Sequence, residues 1–396
     1  MYDVAAPVDP GALERALAPF GQSRTLPAEA YTSPRVFEWE RETLFEGSWF
    51  CVGRSAELAE PGAQRAVPVG TETVLVVRDG AGTLRGFFNV CRHRGHELVE
   101  PGQDRRHSVI RCPYHAWVYS LDGTLRGAAG FPDTPAEALS PLAVAEWQGW
   151  VFANASGDAP PFEDHVGGLG ALVAPYGPER LVVAAREDYE VAANWKIVSE
   201  NFHECYHCSS IHPELCRVSP PDSGDNLEPD GAWVGGWMEL VEHAETMSLT
   251  GESQGAMLPG LDERQRRRVL YAQLFPNLLV SLHPDYVLTH RLVPVAPDRT
   301  RIECEWLFPP EALGRKGFDP AYAVEFWDIT NREDWAACES VHRGVSSRAY
   351  GPGPLSPRED AVYQFVTLVA KAYRDGRVTT PDRVRPSAVG PTTRRP

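Results

Sequence analysis

Short alternating runs of hydrophobic and polar residues dominate the chain between about residues 48 and 154. ETVLVVRD and TLRGFFNV are separated by Gly-Ala-Gly, and AWVYS and TLRG by Leu-Asp-Gly, so both pairs predict β-hairpins. LAVAEW and WVFAN predict two further strands that divide at Gly149. The pattern therefore predicts a small all-β domain that ends at the polar, proline-rich stretch 155–163.

The second half of the chain mixes strand and helix patterns. LVVAAREDYEV and the segments 232–241, 270–281, 286–295 and 301–308 predict strands, whereas Trp195 to about Ser210, 320–340 and 357–374 predict helices. This order predicts an α+β domain, an antiparallel sheet with helices on one face. The predicted divisions are an N-terminal arm and helix (1–45, the helix starting at Ser33-Pro34), the β domain (46–155), the α+β domain (165–380) and a disordered tail (381–396).

Composition narrows the class of protein. The 396 residues are 43% hydrophobic and 23% charged, which is ordinary for a globular protein and excludes a coiled coil or a disordered chain. A net charge of -16 argues against a nucleic-acid partner. No apolar run approaches the roughly 20 residues needed to cross a bilayer, and the first residues lack signal-peptide features, which predicts a cytoplasmic protein. Eight cysteines are too sparse for a disulfide scaffold and are expected to be thiols or metal ligands.

Two short loops each carry one cysteine and one histidine. CRHRG contains Cys91 and His93, and CPYHAW contains Cys112 and His115 after 18 intervening residues. Zinc accepts such a set, but zinc fingers usually pair like with like. A loop with both residue types suits a two-iron cluster in which two thiolates bind one iron and two imidazoles bind the other. Two unrelated Cys/His pairs are the remaining alternative.

A second dense group of candidate ligands lies in NWKIVSENFHECYHCSSIHPEL. His207 and His212 are five residues apart, so an undistorted helix does not aim both at one point and a bent or fraying end is required. Two histidines with one carboxylate from elsewhere make the facial triad of non-haem iron(II), which leaves positions for O₂ and substrate. A structural role for the histidines is one alternative. Zinc with Cys205 and Cys208 is another, disfavoured because no fourth ligand is evident.

The first group, together with Gly95, Pro113, Trp117 and Gly123, resembles the Rieske [2Fe-2S] signature. The two groups in this order resemble the large subunit of Rieske non-haem iron oxygenases over roughly residues 30–375. The resemblance implies a Rieske domain, followed by a helix-grip (Bet v 1-like) catalytic domain that holds mononuclear iron(II). It also implies a third iron ligand, an Asp in a later helix. Asp334 is assigned to that position, with Glu333, Asp328 and Glu339 as competing carboxylates.

The resemblance implies partners as well. It predicts a separate NAD(P)H-dependent flavin/iron–sulfur reductase, O₂, a small-molecule substrate and a homotrimer in which His115 of one subunit contacts Glu204 of the next. The family usually has Asp three residues before its first histidine ligand, whereas this chain has Glu204. That departure resembles the branch that oxidises quaternary ammonium compounds such as glycine betaine, proline betaine, choline and carnitine. The implied reaction is hydroxylation of an N-methyl carbon, followed by loss of formaldehyde.

A pocket for a quaternary ammonium group is expected to be aromatic, because ring faces attract the cation. The candidates, each with burial in the core as its alternative, are Trp233, Trp237, Tyr271, Phe275 and Trp327. Three other functions stay open: an aromatic-ring hydroxylase of the same fold, a Rieske electron carrier with a degenerate second domain, and a zinc-stabilised binding protein. Substrate-dependent O₂ uptake distinguishes the first, and the colour of the purified protein distinguishes the last.

Overall fold

The computed structural model describes residues 5–384 and contains helices and strands in the predicted order. Within those residues the strands are Phe50–Arg54 (β1), Ala63–Val69 (β2), Glu72–Arg78 (β3), Leu84–Phe88 (β4), Asp104–Arg106 (β5), Ile110–Arg111 (β6), Val118–Tyr119 (β7), Leu125–Gly127 (β8), Pro141–Trp147 (β9), Trp150–Asn154 (β10), Val182–Val191 (β11), Asp225–Asn226 (β12), Trp233–Glu239 (β13), Arg268–Leu274 (β14), Leu278–Leu282 (β15), Val287–Ala296 (β16) and Arg299–Phe308 (β17). The α-helices are Pro10–Ala16 (α1), Ala28–Thr32 (α2), Pro34–Trp39 (α3), Phe162–Val166 (α4), Leu169–Val173 (α5), Trp195–Phe202 (α6), Cys208–Ile211 (α7), Pro213–Val218 (α8), Pro310–Leu313 (α9), Ala321–Val345 (α10) and Asp360–Asp375 (α11). Residues 385–396 of the predicted tail lie outside the described range.

The first half folds as the predicted all-β unit. Its larger sheet has the order β1-β10-β9-β4-β3-β2-β5, and a small sheet has the order β6-β7-β8. Gly123, in the turn between β7 and β8, has φ +89°, and a Cβ there would lie 2.5 Å from a ring carbon of Phe87. The turn therefore requires glycine on both conformational and steric grounds. It holds the small sheet against the larger one.

The second half is the predicted α+β unit, a seven-stranded antiparallel sheet of order β11-β17-β16-β15-β14-β13-β12. In β17 buried residues alternate with more exposed ones over most of the strand, as period-two patterning requires. Helix α6 contacts both α10 and α11, and each of the three helices contacts the sheet. Ring contacts of Trp195 (α6) with Phe275 and Phe365 (α11) lie between them. The predicted fold class is confirmed.

Two predicted element bounds were wrong. The strand proposed for 270–281 is two strands, β14 and β15, because Phe275, Pro276 and Asn277 form the turn between them. The helix proposed from Trp195 to about Ser210 ends at Phe202, and the chain turns through His203–His207 before the short helix α7. Both errors arise because continuous apolar or helix-forming composition does not reveal a turn made by tertiary contacts.

The described part of the N-terminal segment packs against the second half of the chain. It forms α1, α2 and α3, followed by a π-helical turn at Glu40–Phe45. Glu40 and Lys196 of α6 form an ion pair with no solvent exposure, at 2.6 Å, and Glu40 also accepts a hydrogen bond from the Trp195 indole. Tyr373 of α11 donates to Glu40 as well. Satisfying both buried charges in this way fixes the N-terminal segment to the second half of the chain.

No helix of the described residues is long and apolar enough to cross a membrane.

Candidate metal centres and substrate cavity

The two Cys/His loops meet at one end of the β unit. Cys91 and His93 follow β4, and Cys112 and His115 lie between β6 and β7. The His93 and His115 ring centres are 4.6 Å apart, and His93 stacks on Trp117 at 4.8 Å. The structure therefore brings all four predicted residues of this group to one region.

The donor set in these loops fits a cluster of iron and sulfide. Both thiols are 2% exposed, and burial raises the pKa of Cys112, with its contact to Cys91 raising it further. His93 Nδ1 is buried and has no hydrogen-bond partner within the described part of the chain. A buried imidazole nitrogen without a partner is costly unless a ligand satisfies it, and two buried thiols supply the matching sulfur donors.

Tyr119 is a neighbour of this group that the sequence did not indicate. Its hydroxyl lies 3.2 Å from the Cys91 sulfur and accepts a hydrogen bond from the Arg92 amide at 3.1 Å. Its position in the sequence could have indicated this role, because Tyr119 ends β7, the short strand that directly follows the loop with Cys112 and His115. A hydroxyl donor to a thiolate tunes the electron density on its sulfur.

The second group converges on one point. His212 Nε2 lies 2.9 Å from Asp334 Oδ1 and 3.1 Å from His207 Nε2, and His207 Nε2 lies 3.3 Å from Asp334 Oδ1. Their potential ligand atoms lie within 4.8 Å of one another. His207 and His212 flank the short helix α7, and Asp334 projects from the middle of the 25-residue helix α10. The break after Phe202 is what allows histidines five residues apart to face one another.

Each histidine of this group is held from its far side by a carboxylate. His207 Nδ1 contacts Glu204, which also accepts the His207 amide at 3.0 Å, and His212 Nδ1 lies 2.8 Å from Glu333 Oε2. Sequence reasoning placed Glu333 among the competing ligands. Because adjacent helical residues point in different directions, Glu333 reaches the outer nitrogen of His212 while Asp334 faces the inner one.

The remaining two competing carboxylates are engaged elsewhere. Asp328 accepts hydrogen bonds from Tyr189 and Arg332, and Glu339 accepts the Ala192 amide. Both lie on α10 but neither contacts the histidines through any hydrogen bond among the described residues.

The electrostatics of this group favour a bound cation. Burial disfavours a charged imidazole, but hydrogen bonds with Asp334 and Glu204 raise the pKa of His207 to about 9. Burial likewise acts to raise the pKa of Asp334, yet its contacts with the two histidines lower it. Three carboxylates around two imidazoles thus stabilise positive charge between them. Two nitrogens and one oxygen in this arrangement fit a facial-triad metal such as iron(II).

Cys205 and Cys208, on either side of His207, are joined in a disulfide. The expectation that all eight cysteines are thiols or metal ligands was therefore wrong for this pair. The sequence did not indicate this disulfide, because Cys205 and Cys208 come close together only when the chain turns after Phe202. The zinc site considered with His207 lacks its two thiolates in this state.

A cavity of about 350 Å³ adjoins His207, His212 and Asp334. Of the five aromatic candidates, three line it, namely Trp237, Tyr271 and Trp327, and Phe202 and Trp335 line it too. Trp233 and Phe275 pack instead in the hydrophobic core, at 3% and 1% exposure. The Trp237 ring already lies under Arg268, whose guanidinium is 5.1 Å from the ring centre. Tyr271 and Trp327 are therefore the better placed of the predicted rings.

Glu200 lies on α6 and accepts a hydrogen bond from the Tyr31 hydroxyl at 2.7 Å. Burial raises the pKa of Glu200 to about 7. Because the unfolded chain releases this proton near pH 4.3, folding is progressively destabilised as pH rises from about 4.3 to 7, and the loss is complete above that. The Gln side chain has no such proton, and it still offers Tyr31 an acceptor.

We therefore expect Glu200→Gln to raise the melting temperature relative to the parent by more at pH 8 than at pH 5. Calorimetry of both proteins across that range measures the difference, with the exposed Glu14→Gln as the matched control. A difference between Glu200→Gln and the parent that does not change with pH would contradict the assignment.

Comparisons with known proteins agree with this layout. Residues 178–375 match the ring hydroxylating alpha subunit (catalytic domain) family, and residues 48–139 match the Rieske [2Fe-2S] domain family. The chain is 40% identical to the carnitine monooxygenase oxygenase subunit of Acinetobacter baumannii, covering 88% of this chain and 95% of that protein. It is 30% identical to the glycine betaine monooxygenase oxygenase subunit of Chromohalobacter salexigens, covering 92% and 88%.

Solved structures show the same similarity. The quaternary ammonium Rieske monooxygenase CntA in complex with L-carnitine superposes with a TM-score of 0.73 at 28% identity, covering 91% of this chain and 98% of that one. Naphthalene 1,2-dioxygenase from Rhodococcus sp. gives a TM-score of 0.73 at 20% identity, covering 92% and 98%, and shows the shared fold alone.

Proposed function

Because the chain belongs to the family of Rieske-type ring-hydroxylating oxygenases, as the alpha (oxygenase) subunit, we propose that it oxidises a quaternary ammonium compound, in a reaction that removes an N-methyl group. As an oxygenase subunit it uses O₂ and electrons from a separate reductase. NAD(P)H supplies these electrons to the reductase. The domains are proposed to be the N-terminal arm and helix at 1–45, the Rieske part at 46–155 and the catalytic part at 165–380.

The family implies a Rieske [2Fe-2S] cluster and mononuclear iron(II), and the residues present fit both. We assign the cluster to Cys91, His93, Cys112 and His115, and the iron to His207, His212 and Asp334. When bound, the two groups supply one-electron transfer and O₂ activation. The protein's own part is to orient the imidazoles: Glu204 and Glu333 accept from the outer nitrogens, which fixes the tautomer that leaves the inner nitrogens free.

One observation carries the choice of substrate class: aromatic rings line the cavity beside the triad, in a chain whose relatives are named for betaine and carnitine oxidation. Phe202, Tyr271 and Trp327 are among the rings that line it, and each cation–π contact with such a ring contributes about 1–2 kcal/mol when water is excluded.

We propose a homotrimer for the assembly. Large aromatic side chains are exposed at both centres: Tyr114 (54%) and Phe131 (45%) beside the paired Cys/His loops, and Tyr206 (53%) beside His207. Clustered exposed rings, such as Tyr114 and Phe131 around His115 and His93, commonly mark interfaces. A head-to-tail ring would place His115 of one subunit against Glu204 of the partner subunit, and such heterologous contacts close when the rotation allows. A cytoplasmic location remains a prediction from the sequence.

The test is O₂ uptake and formaldehyde release by the purified protein with a reductase, over a panel of N-methylated amines and aromatic acids. We expect a red-brown protein that releases formaldehyde with betaines and leaves benzoates unchanged. Turnover of aromatic acids without formaldehyde would assign the ring-hydroxylase alternative instead. A colourless protein with one zinc per chain and no rhombic EPR signal after reduction would contradict both.

A further inference from the structure

The mouth of the cavity is built from two walls, the segment 221–226 and the residues 357–360 that lead into α11. Two side-chain contacts join them. Arg358 Nη2 donates to the Pro221 carbonyl at 3.1 Å, and Asn226 Nδ2 donates to Asp360. These two contacts link the two walls of the mouth.

Carboxylates predominate around the cavity. Glu204 and Asp334 engage the histidines at its base, and the mouth carries Asp222, Asp225 and Asp360. Such a mouth attracts a cation and repels a substrate that carries its own carboxylate. A zwitterion enters favourably only if a positive group offsets this repulsion.

Arg358 is the one lysine or arginine among the described residues that line the cavity. Within the described residues its side chain makes one hydrogen bond, to the Pro221 carbonyl, and forms no ion pair with a carboxylate. Its guanidinium lies 5.9 Å from the ring centre of Tyr206, the residue before His207. Its Nε and Nη1 donors are thus available at the mouth.

The two ends of a betaine require different partners. A trimethylammonium group accepts no hydrogen bonds and is bound by ring faces, whereas a carboxylate is bound best by the paired donors of an arginine. Resting on the proposed function, we propose that Arg358 determines specificity by binding the substrate's carboxylate, so that trimethylammonium carboxylates are preferred over trimethylammonium alcohols. The ammonium end then lies toward Tyr271 and Trp327, beside the triad.

The test compares glycine betaine and carnitine, which carry a carboxylate, with choline, which does not. Dissociation constants are measured by calorimetry on the full-length protein with both metal centres loaded, and KM and kcat by formaldehyde release. We expect Arg358→Gln to weaken binding of the carboxylates by about 10- to 100-fold, the range for a charge-assisted hydrogen bond. KM should rise while kcat changes little, and choline binding should change by less than about 2-fold.

Three further variants sharpen the result. Arg358→Lys keeps the charge but not the paired donors and should fall between parent and Arg358→Gln. Asp222→Asn removes a negative charge from the same mouth and should shift preference the opposite way, toward carboxylates. The matched control is Arg374→Gln, at the far end of α11, where the arginine pairs with Asp375; it should leave all constants unchanged.

Equal weakening of glycine betaine and choline by Arg358→Gln would show that the arginine only ties the two walls, and would overturn the proposal. A parent protein that binds choline more tightly than the carboxylates would also overturn it. If the parent neither binds nor demethylates any N-methylated compound, the proposed function fails and this inference with it. That outcome is read from the parent alone and so is distinct from a failure at Arg358.

Discussion

Asp334→Ala is expected to remove the mononuclear iron and all measurable turnover while leaving the visible spectrum of the Rieske cluster intact. The carboxylate lies 2.9 Å from His212 and 3.3 Å from His207, and without it the remaining site has two neutral nitrogens and no negative ligand atom. The loss should exceed the roughly 10- to 100-fold that removal of an outer contact to a metal ligand causes. Iron content per chain, the cluster spectrum and formaldehyde release measure the three parts of this prediction.

Asp328→Ala is the matched control, because Asp328 lies on the same helix and bonds Tyr189 and Arg332 instead of the histidines. It should retain iron and turnover. Glu333→Gln keeps an acceptor for His212 and should lose activity only in part. If Asp334→Ala stays active while a Glu333 or Glu339 variant loses its iron, the third ligand has been wrongly assigned.

Glu204→Gln is expected to keep both metal centres but to lose turnover by about 100-fold or more, beyond what a contact that only orients a ligand usually contributes. Glu204 contacts His207 Nδ1 and accepts the His207 amide, so it orients the imidazole. In the proposed trimer it also meets His115 of the partner subunit. The Gln variant keeps the shape and an acceptor but loses the negative charge that couples the two imidazoles.

Mixing the reduced variant with O₂ and substrate separates the two roles of Glu204. Reoxidation of the chromophore should be much slower than in the parent, although both metals are present. Glu333→Gln, which changes the equivalent contact on His212, should reoxidise at close to the parental rate. A fully active Glu204→Ala protein, or an active monomer by sedimentation, would contradict the coupling.

The sequence predicted the fold class, the order of elements and the two groups of candidate ligands because each has a local signal. Cysteine and histidine in both β loops, and two histidines near one helix end, are visible without any tertiary information. Most strands of the second sheet were also predicted, since their hydrophobic pattern is local, but the turn between β14 and β15 was missed. The role of Glu333 could not be predicted from the sequence, because it depends on which face of α10 lies against His212.

What the sequence did not reveal depends on packing between distant segments. The end of α6 at Phe202, the disulfide between Cys205 and Cys208, and the burial of Trp233 and Phe275 all follow from contacts made only in the folded chain. Arg358 gave no signal either, because an exposed arginine ahead of a helix is common. It becomes notable only where two loops bring it to a mouth lined with carboxylates.

The contact between the N-terminal segment and the catalytic part limits how Rieske modules can be exchanged between related chains. Glu40 and Lys196 are mutually dependent, although the whole Rieske part of the chain lies between them in sequence. The catalytic part therefore depends on a segment that precedes the Rieske part in sequence. A fragment of residues 178–375 alone would bury the Lys196 ammonium without Glu40, its counter-ion. Exchange of Rieske modules between relatives is better designed as an insertion, with junctions after Phe45 and near Ala155, than as a fusion of two consecutive pieces.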